Sequence, residues 1–287
     1  MANLKEIRNR ITSIISTMQI TSAMKMVSAA KLKKAQDAIT AMRPYSSKLT
    51  ELLQNLSATL DEDAGGSFST EREVKKVLLV AITSNRGLCG GFNSSITKEV
   101  IKTAEEKYTN LVVDLVTIGK KGNDSLSKQF NVIDNRNDIY DDLTFDNVSK
   151  IAEKLMDLYI DGSYDKIEIV YNQFKNAATQ IPQVEQFLPI KPIEEGETIT
   201  NSDYIFEPSK EEIILALIPK SLKTQLYKSV RDSFASEHGA RMTAMHKATD
   251  NATELRDELL LTYNKARQAA ITNEILEIVG GAEALNN

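Results

Sequence analysis

Residues 4–21, with the sequence LKEIRNRITSIISTMQIT, repeat their apolar side chains at alternating steps of three and four positions. The members of this series are Leu4, Ile7, Ile11, Ile14, Met18 and Thr21. A mean spacing of 3.5 residues is typical of the buried seam of a coiled coil. Asn3 followed by Glu6 has the spacing of a helix-capping box, so we expect a helix to begin there.

The same helix is expected to continue well beyond its apolar seam. The seam turns polar at Lys25 and Ser28. Met24 and Val27 lie one position beside it, which predicts a shift of register. Pro44 should kink or interrupt the helix, because proline removes a backbone donor and its ring clashes with the preceding turn. A helix over residues 3–58 would be about 80 Å long.

The carboxy-terminal segment carries a second seam. Residues 220–279 contain no proline and one glycine, Gly239. Its seam is predicted at Met245, Ala248, Ala252, Leu255, Leu259, Thr262, Ala266, Ala269, Asn273 and Leu276. We expect this helix to pair antiparallel with the first one, with residues 275–285 projecting beyond it as a single helix. A short helix over residues 211–218 is expected to end at Pro219.

The middle of the chain has a different composition. Fourteen of the eighteen glycines and prolines fall between Gly65 and Pro219. Strands are predicted at 77–82, 111–118, 131–133, 166–171 and 181–190, and helices at 96–108, 124–129 and 145–160. Because strands and helices alternate, we expect a three-layer, Rossmann-like α/β domain with a largely parallel sheet, and Pro182 and Pro189 favour an edge position for the last strand.

The predicted fold class is therefore α/β with long helices, in which an antiparallel two-helix coiled coil encloses an inserted domain. The predicted domains are an amino-terminal helix over 1–58, the α/β domain over 74–190 and a carboxy-terminal helix over 209–287 that pairs with the first.

Charge and composition narrow the possible functions. Residues 1–50 hold nine basic and two acidic side chains, a net charge of +7, whereas the remainder of the chain has a net charge of −12. A positive helix suggests nucleic acid, a membrane surface or an acidic protein as partner. The single cysteine excludes a disulfide framework, and two histidines leave little material for a zinc site. No apolar stretch reaches 18 residues, so no membrane span is predicted.

The turn Gly87–Gly91 (GLCGG) follows a predicted strand, where glycines let backbone N–H groups approach a phosphate. It lacks the lysine of a nucleotide-binding loop, so a tight strand-to-helix turn is favoured over a nucleotide site. Cys89 is either a reactive thiol near a helix amino terminus or, as we favour, a packed small residue. His238 and His246 lie eight positions apart, which does not suit a helical metal pair and favours surface or partner-facing positions.

Three interpretations of the basic run Lys31, Lys33 and Lys34 are considered. It could bind nucleic acid, it could form a solvated helix face, or it could complement an acidic protein, which we favour. By itself, the stretch around Arg267 and Gln268 is typical of an ordinary exposed helix.

Five stretches together resemble one family. They are ITSAMKMV over residues 20–27, SNRGLCGGFN over 84–93, and the terminal segments RMTAM over 241–245, ATDNA over 248–252 and YNKARQAAIT over 263–272. In this order they are similar to the gamma-subunit family of F-type ATP synthases, over essentially the whole chain. The resemblance implies a non-catalytic rotor shaft, without cofactor, metal or catalytic residue of its own. It would turn inside the alpha/beta hexamer and couple proton translocation to ATP synthesis or hydrolysis.

The resemblance also implies partner contacts for particular residues. Contact with the catch loops of the beta subunits is implied for Arg267, Gln268 and Thr272. Contact with the acidic lever loops of beta is implied for Met24, Lys25, Lys31, Lys33, Lys34 and Arg241. Tyr204 and Glu207 match the foot, near the c-ring and the epsilon subunit. The chain begins directly at a helix with no transit peptide, so we expect a bacterial peripheral membrane protein on the cytoplasmic face of the inner membrane.

Two other functions remain possible at this point. The chain could be a coiled-coil scaffold whose α/β domain binds a regulatory ligand, or a small nucleotide-dependent enzyme. Micromolar affinity of the isolated protein for ATP would favour the enzyme and count against the shaft.

Overall fold

The computed structural model describes residues 4–57, 68–69, 72–190 and 210–285. Its helices and strands are, in order, α1 Leu4–Ser57, β1 Lys76–Ile82, α2 Phe92–Lys107, β2 Val112–Ile118, α3 Lys120–Leu126, β3 Asn131–Asn135, a 3-10 turn Asp138–Tyr140, α4 Phe145–Ile160, β4 Lys166–Phe174, β5 Gln180–Leu188 and α5 Lys210–Leu285. The chain divides into two compact units, residues 1–28 with 242–287 and residues 29–241.

The larger unit contains one five-stranded sheet in the order β3-β2-β1-β4-β5. The first four strands are parallel, and β5 pairs antiparallel with β4 at the edge. This arrangement confirms the predicted strands and the edge position of the last one. Residues Val77 to Ile82 of β1 are completely buried, as expected for the central strand of a sheet covered on both faces.

Alternate side chains of β1 enter two separate cores. Leu78, Val80 and Ile82 pack with α4 and with residues 218–230 of α5. Val77 and Leu79 pack on the other face, with α2 and with Leu126 of α3. Helices therefore cover both faces of the sheet, and the predicted three-layer α/β architecture is confirmed.

The smaller unit is an antiparallel helical pair. Arg8 Nη2 of α1 donates to Tyr263 Oη of α5 at 2.7 Å. The hydroxyls of Thr21 and Thr249 lie 2.8 Å apart, and Thr253 Oγ1 approaches Met18 Sδ at 3.8 Å. From one pair to the next, the residue number on α1 rises as the number on α5 falls, and the two numbers of each pair add up to 270 or 271. The two helices therefore run in opposite directions in one register, which confirms the predicted coiled coil.

The predicted register shift in α1 is wrong. Ser28 is buried and Lys25 is half-buried, so the seam continues at its original spacing, whereas Val27 is 57% exposed. Serine fits this buried position because it is small and because Ser28 Oγ donates to the carbonyl of Met24 at 2.8 Å. Further along α1 the same spacing recurs at the buried residues Leu32, Ala35, Ile39 and Leu49.

The predicted seam of α5 is wrong at five of its ten members, because Leu255, Thr262, Ala269, Asn273 and Leu276 are all exposed. Leu255 is 47% exposed and Thr262 is exposed, while the neighbouring Arg256 and Tyr263 are half-buried. The phenol of Tyr263 receives the hydrogen bond from Arg8. A long polar-tipped side chain can cover the partner helix with its body and still reach a polar group, a choice that apolar spacing alone does not reveal.

Neither proline interrupts its helix. α1 continues through Pro44 to Ser57, and α5 continues through Pro219, so the predicted separate helix over 211–218 belongs to α5. A proline inside a helix costs about 3 kcal/mol. Beside Pro219, the apolar side chains of Ile218 and Leu222 are both buried in the core on the α4 face of the sheet, which offsets that cost. In the part of the chain that the structure describes, no helix is long and apolar enough to cross a bilayer.

Candidate functional site

The carboxyl ends of the parallel strands are covered by α5. In open α/β sheets ligands bind beyond these ends, where neighbouring strands send their connections to opposite sides. Here Ser236 Oγ of α5 donates to the carbonyl of Asn172 in β4 at 3.0 Å. A Cβ atom on Gly239 would lie only 3.1 Å from the Cα of Ala177, in the loop after β4. The helix therefore occupies the place at which a nucleotide would bind in such a sheet.

The glycine-containing turn after β1 is closed by its own side chains. Ser84 Oγ donates to the carbonyl of Arg86 at 2.7 Å, and the backbone N–H of Ser84 donates to Asn93 Oδ1 at 3.0 Å. Leu88 and Gly90 both have left-handed backbone angles, with φ of 62° and 58°. These bonds join the end of β1 to the first turn of α2, and support the prediction of a tight strand-to-helix turn.

Arg241 of α5 holds this turn from the other side. Its Nη2 donates to the carbonyl of Arg86 at 3.0 Å and lies 3.4 Å from that of Gly87. Its Nη1 forms a buried ion pair with Glu237 Oε1 at 2.5 Å, one helical turn earlier. The guanidinium thus neutralises a buried carboxylate and satisfies backbone acceptors of the turn at the same time.

The buried groups around Arg241 have shifted pKa values. Burial raises the pKa of Glu237, although the charge and hydrogen bonding of Arg241 act against this effect. Burial also lowers the pKa of His238 to about 3, helped by the positive charges of Arg241 and Lys31. His238 is therefore neutral near pH 7.

His238 does not lie at the surface as expected. It is 4% exposed and packs edge-on against Phe234, with 4.5 Å between ring centroids. Phe234 in turn stacks on Tyr140, whose hydroxyl donates to the carbonyl of Thr83 at the end of β1. The surface prediction fails because this part of α5 packs against the turn after β1, to which the neighbouring Arg241 is bonded, and the spacing of two histidines does not reveal such packing. His246 is exposed and lies 3.2 Å from Asp250, as expected.

Cys89 is a packed residue and not a reactive thiol. It is 2% exposed, and burial raises its pKa. Asn93 Nδ2 lies 3.3 Å from its sulfur, inside the turn. Within the described ranges of the chain, no three histidine, cysteine, aspartate or glutamate side chains come together as a metal site.

The residues assigned to the catch loops are free for contact. Arg267, Gln268 and Thr272 are all exposed, as is every described side chain from Arg267 to Ala282. The pairing register of the two helices places Leu4, the first described residue of α1, level with Arg267. This part of α5 presents several exposed apolar side chains, namely Ile271, Ile275, Leu276, Ile278 and Val279.

The residues assigned to the lever loops differ in their surroundings. Lys31, Lys33 and Lys34 are exposed, and Lys33 forms an ion pair with Asp37 at 2.9 Å. Met24 and Lys25 are half-buried, in the smaller unit. Arg241 is buried against the turn after β1, where it is bonded to the carbonyl of Arg86 and to Glu237. Tyr204 and Glu207 lie outside the described residues.

Glu237 was not recognised from the sequence. The signal was present, since Glu237 and Arg241 have the spacing of a helical ion pair. Such spacing is common on solvated helices, and only the fold shows that this pair is buried.

Comparison with known proteins places the chain in a family. A family model described as ATP synthase matches residues 3–285. The ATP synthase gamma chain of Flavobacterium psychrophilum is 75% identical over 285 residues, which cover 99% of both chains. That of Flavobacterium johnsoniae is 74% identical over 286 residues and covers all of both chains.

Solved structures of ATP synthases also contain chains similar to this one. A chain from the central stalk and c-ring of the Tetrahymena thermophila mitochondrial ATP synthase is 27% identical with a TM-score of 0.60, covering 80% of this chain and 99% of that one. A chain from the rotor of the Euglena gracilis mitochondrial ATP synthase shares the fold, with 22% identity, a TM-score of 0.66 and coverage of 93% and 98%. The resemblance of the end motifs is confirmed, and with it the expectation of a subunit that is not itself catalytic. The chain belongs to the ATP synthase gamma chain family.

Proposed function

We propose that this chain is the rotating shaft of an F-type ATP synthase, turning inside the alpha/beta hexamer to couple proton translocation to ATP synthesis or hydrolysis. The observation that carries the proposal is the helical pair, whose α5 member presents only exposed side chains over the described positions from Arg267 to Ala282. Exposed arginine, amide and apolar groups on one helix are suited to successive contacts with different subunits of a surrounding ring.

The proposed contacts follow the family motifs. Arg267, Gln268 and Thr272 would meet the catch loops of beta. Met24, Lys25 and the three exposed lysines of α1 would face its acidic lever loops. Exposed ion pairs are worth about 0–1 kcal/mol each, which suits a surface that must release its partners in every turn. Arg241 would join this set only if its bonds to the turn opened.

The remaining partners and the location belong to the same proposal. The foot, with Tyr204 and Glu207, would join the epsilon subunit and the c-ring. The complex would lie on the cytoplasmic face of a bacterial membrane, with this chain as a peripheral component. The proposed domain division is a helix over 1–58, the α/β domain over 74–190 and a helix over 209–287. The carboxyl end of β4 and the loop after it are covered by Ser236 and Gly239 of α5. This packing argues against a nucleotide site at that edge of the sheet.

Co-expression with the alpha and beta subunits of the same organism tests the proposal. The chain should purify with both as one complex, and that complex should hydrolyse ATP, whereas the chain alone should neither hydrolyse nor bind ATP in the micromolar range. Assembly of an active alpha/beta complex that leaves this chain behind would overturn the shaft assignment. Micromolar binding of ATP to the isolated chain would favour the enzyme instead.

A further inference from the structure

We propose that two polar contacts, Thr21 with Thr249 and Arg8 with Tyr263, fix the axial register of the helical pair. Each contact joins α1 to α5 within the smaller unit, with distances of 2.8 and 2.7 Å. Arg8 also lies over the ring of Tyr263, with 5.7 Å from Cζ to the centroid. The assignment of register concerns the chain itself and does not depend on the proposed rotor function.

The apolar residues of the seam do not select one register by themselves. α1 offers isoleucine at positions 7, 11 and 14, and α5 offers alanine or leucine at positions 252, 259 and 266. These three α5 positions are spaced by one heptad. A slip of one heptad would therefore place isoleucine against alanine instead of leucine, so the seam would stay apolar.

The polar contacts would not survive that slip. In one direction Thr21 would lie level with Arg256, and Arg8 level with Ala270. In the other direction Arg8 would lie level with Arg256, which brings two positive charges together. Polar groups at single seam positions are known to specify register in coiled coils, at some cost in stability.

The threonine hydroxyls act on register and contribute little to stability. Thr21 Oγ1 and Thr249 Oγ1 also approach carbonyls of their own helices, those of Met18 and Met245, at 3.1 and 2.8 Å. Each hydroxyl would thus keep a partner in any register, and replacing both by valine leaves no polar group unsatisfied. The two effects can therefore be separated by experiment.

The register determines the axial position of the exposed residues of one helix relative to those of the other. A slip of one heptad would move one helix by about 10 Å along the other. Arg267 would no longer lie level with Leu4, and side chains on α1 and α5 that must meet one partner would be displaced relative to each other. Arg8, Thr21, Thr249 and Tyr263 are in this sense positioning residues.

Disulfide trapping in the full-length chain tests the assignment. In a Cys89→Ala background, Ile11→Cys is combined with Leu259→Cys for the observed register, and with Ala252→Cys or Ala266→Cys for the two slipped registers. Without further changes, only the pair with residue 259 should cross-link on mild oxidation. With Thr21→Val, Thr249→Val, Arg8→Ala and Tyr263→Leu together, at least one slipped pair should cross-link in comparable yield.

The control replaces exposed threonines that bond only within their own helix. Thr12 Oγ1 donates to the carbonyl of Arg8, and Thr262 Oγ1 to that of Glu258. Thr12→Val with Thr262→Val should leave trapping at residue 259 alone. Thr21→Ser with Thr249→Ser, which keeps both hydroxyls, should do the same. Melting of the helices followed by circular dichroism should show that Thr21→Val with Thr249→Val is at least as stable as the unmodified chain.

The assignment is overturned if the fourfold variant is helical and cross-links only through residue 259. If the fourfold variant loses its helicity, the variant with only Thr21→Val and Thr249→Val is used for the test, because its valines keep the seam filled. A threonine-pair variant that still traps a single register, with the same yield as its control, would then overturn the role of that pair.

Discussion

Arg241 and Arg86 are 155 positions apart in sequence, yet the guanidinium of the first donates to the backbone carbonyl of the second at 3.0 Å. Two like-charged residues meet here because one contributes its side chain and the other its backbone. Glu237 supplies the compensating negative charge. The arrangement attaches α5 to the turn that follows β1, within the larger unit.

Replacing Arg241 by methionine should destabilise the larger unit by about 3–5 kcal/mol, because it leaves the carboxylate of Glu237 buried without a partner. The urea midpoint of unfolding measures the loss. Glu237→Gln combined with Arg241→Met should recover much of it, since no buried charge then remains. Equal losses in the single and double variants would show that the ion pair is not the cause.

The same variant has a predicted pH dependence. Burial raises the pKa of Glu237 and Arg241 opposes this, so removal of Arg241 should raise the pKa further. A carboxyl whose pKa is higher in the folded state keeps a proton that the unfolded chain has lost. The free energy of unfolding of Arg241→Met should therefore fall further below that of the unmodified chain at pH 8 than at pH 5.

His238 should make the chain less stable as the pH falls. Its ordinary pKa is 6.5 and its pKa in the folded state is about 3, because burial and the charges of Arg241 and Lys31 disfavour the imidazolium. Between these values the unfolded chain binds a proton that the folded chain does not. The loss between pH 7 and pH 5 should be about 2 kcal/mol.

His238→Gln isolates this effect, because it leaves Glu237 and the other titrating groups in place. The free energy of unfolding, measured in urea at both pH values, should change less in the variant than in the unmodified chain. If both proteins lose the same stability, the imidazole is not the group responsible.

Gly239 is a packing requirement. Glycine inside a helix is normally about 1 kcal/mol less favourable than alanine. A Cβ on Gly239 would meet Ala177 Cα at 3.1 Å and Phe174 Cε2 at 3.3 Å, so Gly239→Ala should fail to give this gain and should lower the thermal midpoint. Gly280→Ala is the matched control, because nothing lies within 4 Å of a Cβ there. A gain in stability of the same size at both positions would contradict the packing argument.

The strands of the α/β domain could be predicted because each is bounded by its own turn residues and Val77 to Ile82 of β1 are all apolar. The coiled coil could be predicted as a pair of helices, but not residue by residue. Leu255 is apolar and yet exposed, whereas Tyr263 turns inward because Arg8 is there to bind it. Spacing within one helix cannot reveal such a choice, which depends on the side chain opposite. The buried state of His238 escaped prediction for the same reason.

An insertion of four alanines between Asp257 and Glu258 should disrupt the helical pair. Four residues do not complete a 3.5-residue repeat, so side chains beyond the insertion would leave the seam. The thermal midpoint of helix unfolding should fall. A seven-residue insertion at the same point keeps the phase of the repeat and should cost less stability, although it displaces Arg267 from Leu4. If the four-residue insertion is no more costly than the seven-residue one, the seam is wrongly assigned.

Replacing Arg267 and Gln268 together by alanine should reduce ATP hydrolysis by the assembled complex, or its assembly, without changing the fold of this chain. Both side chains are exposed, and alanine is the best helix former, so the helicity of the isolated chain should be retained. Glu105→Ala with Glu106→Ala, on exposed positions of α2, provides a control of equal size. Turnover by the purified complex and circular dichroism of the chain measure the two effects separately. Loss of turnover with unchanged helicity, absent from the control, is expected if these residues contact the catch loops. Unchanged turnover in a fully assembled complex would remove that assignment while leaving family membership intact, because membership depends on the whole chain and the contact on two side chains.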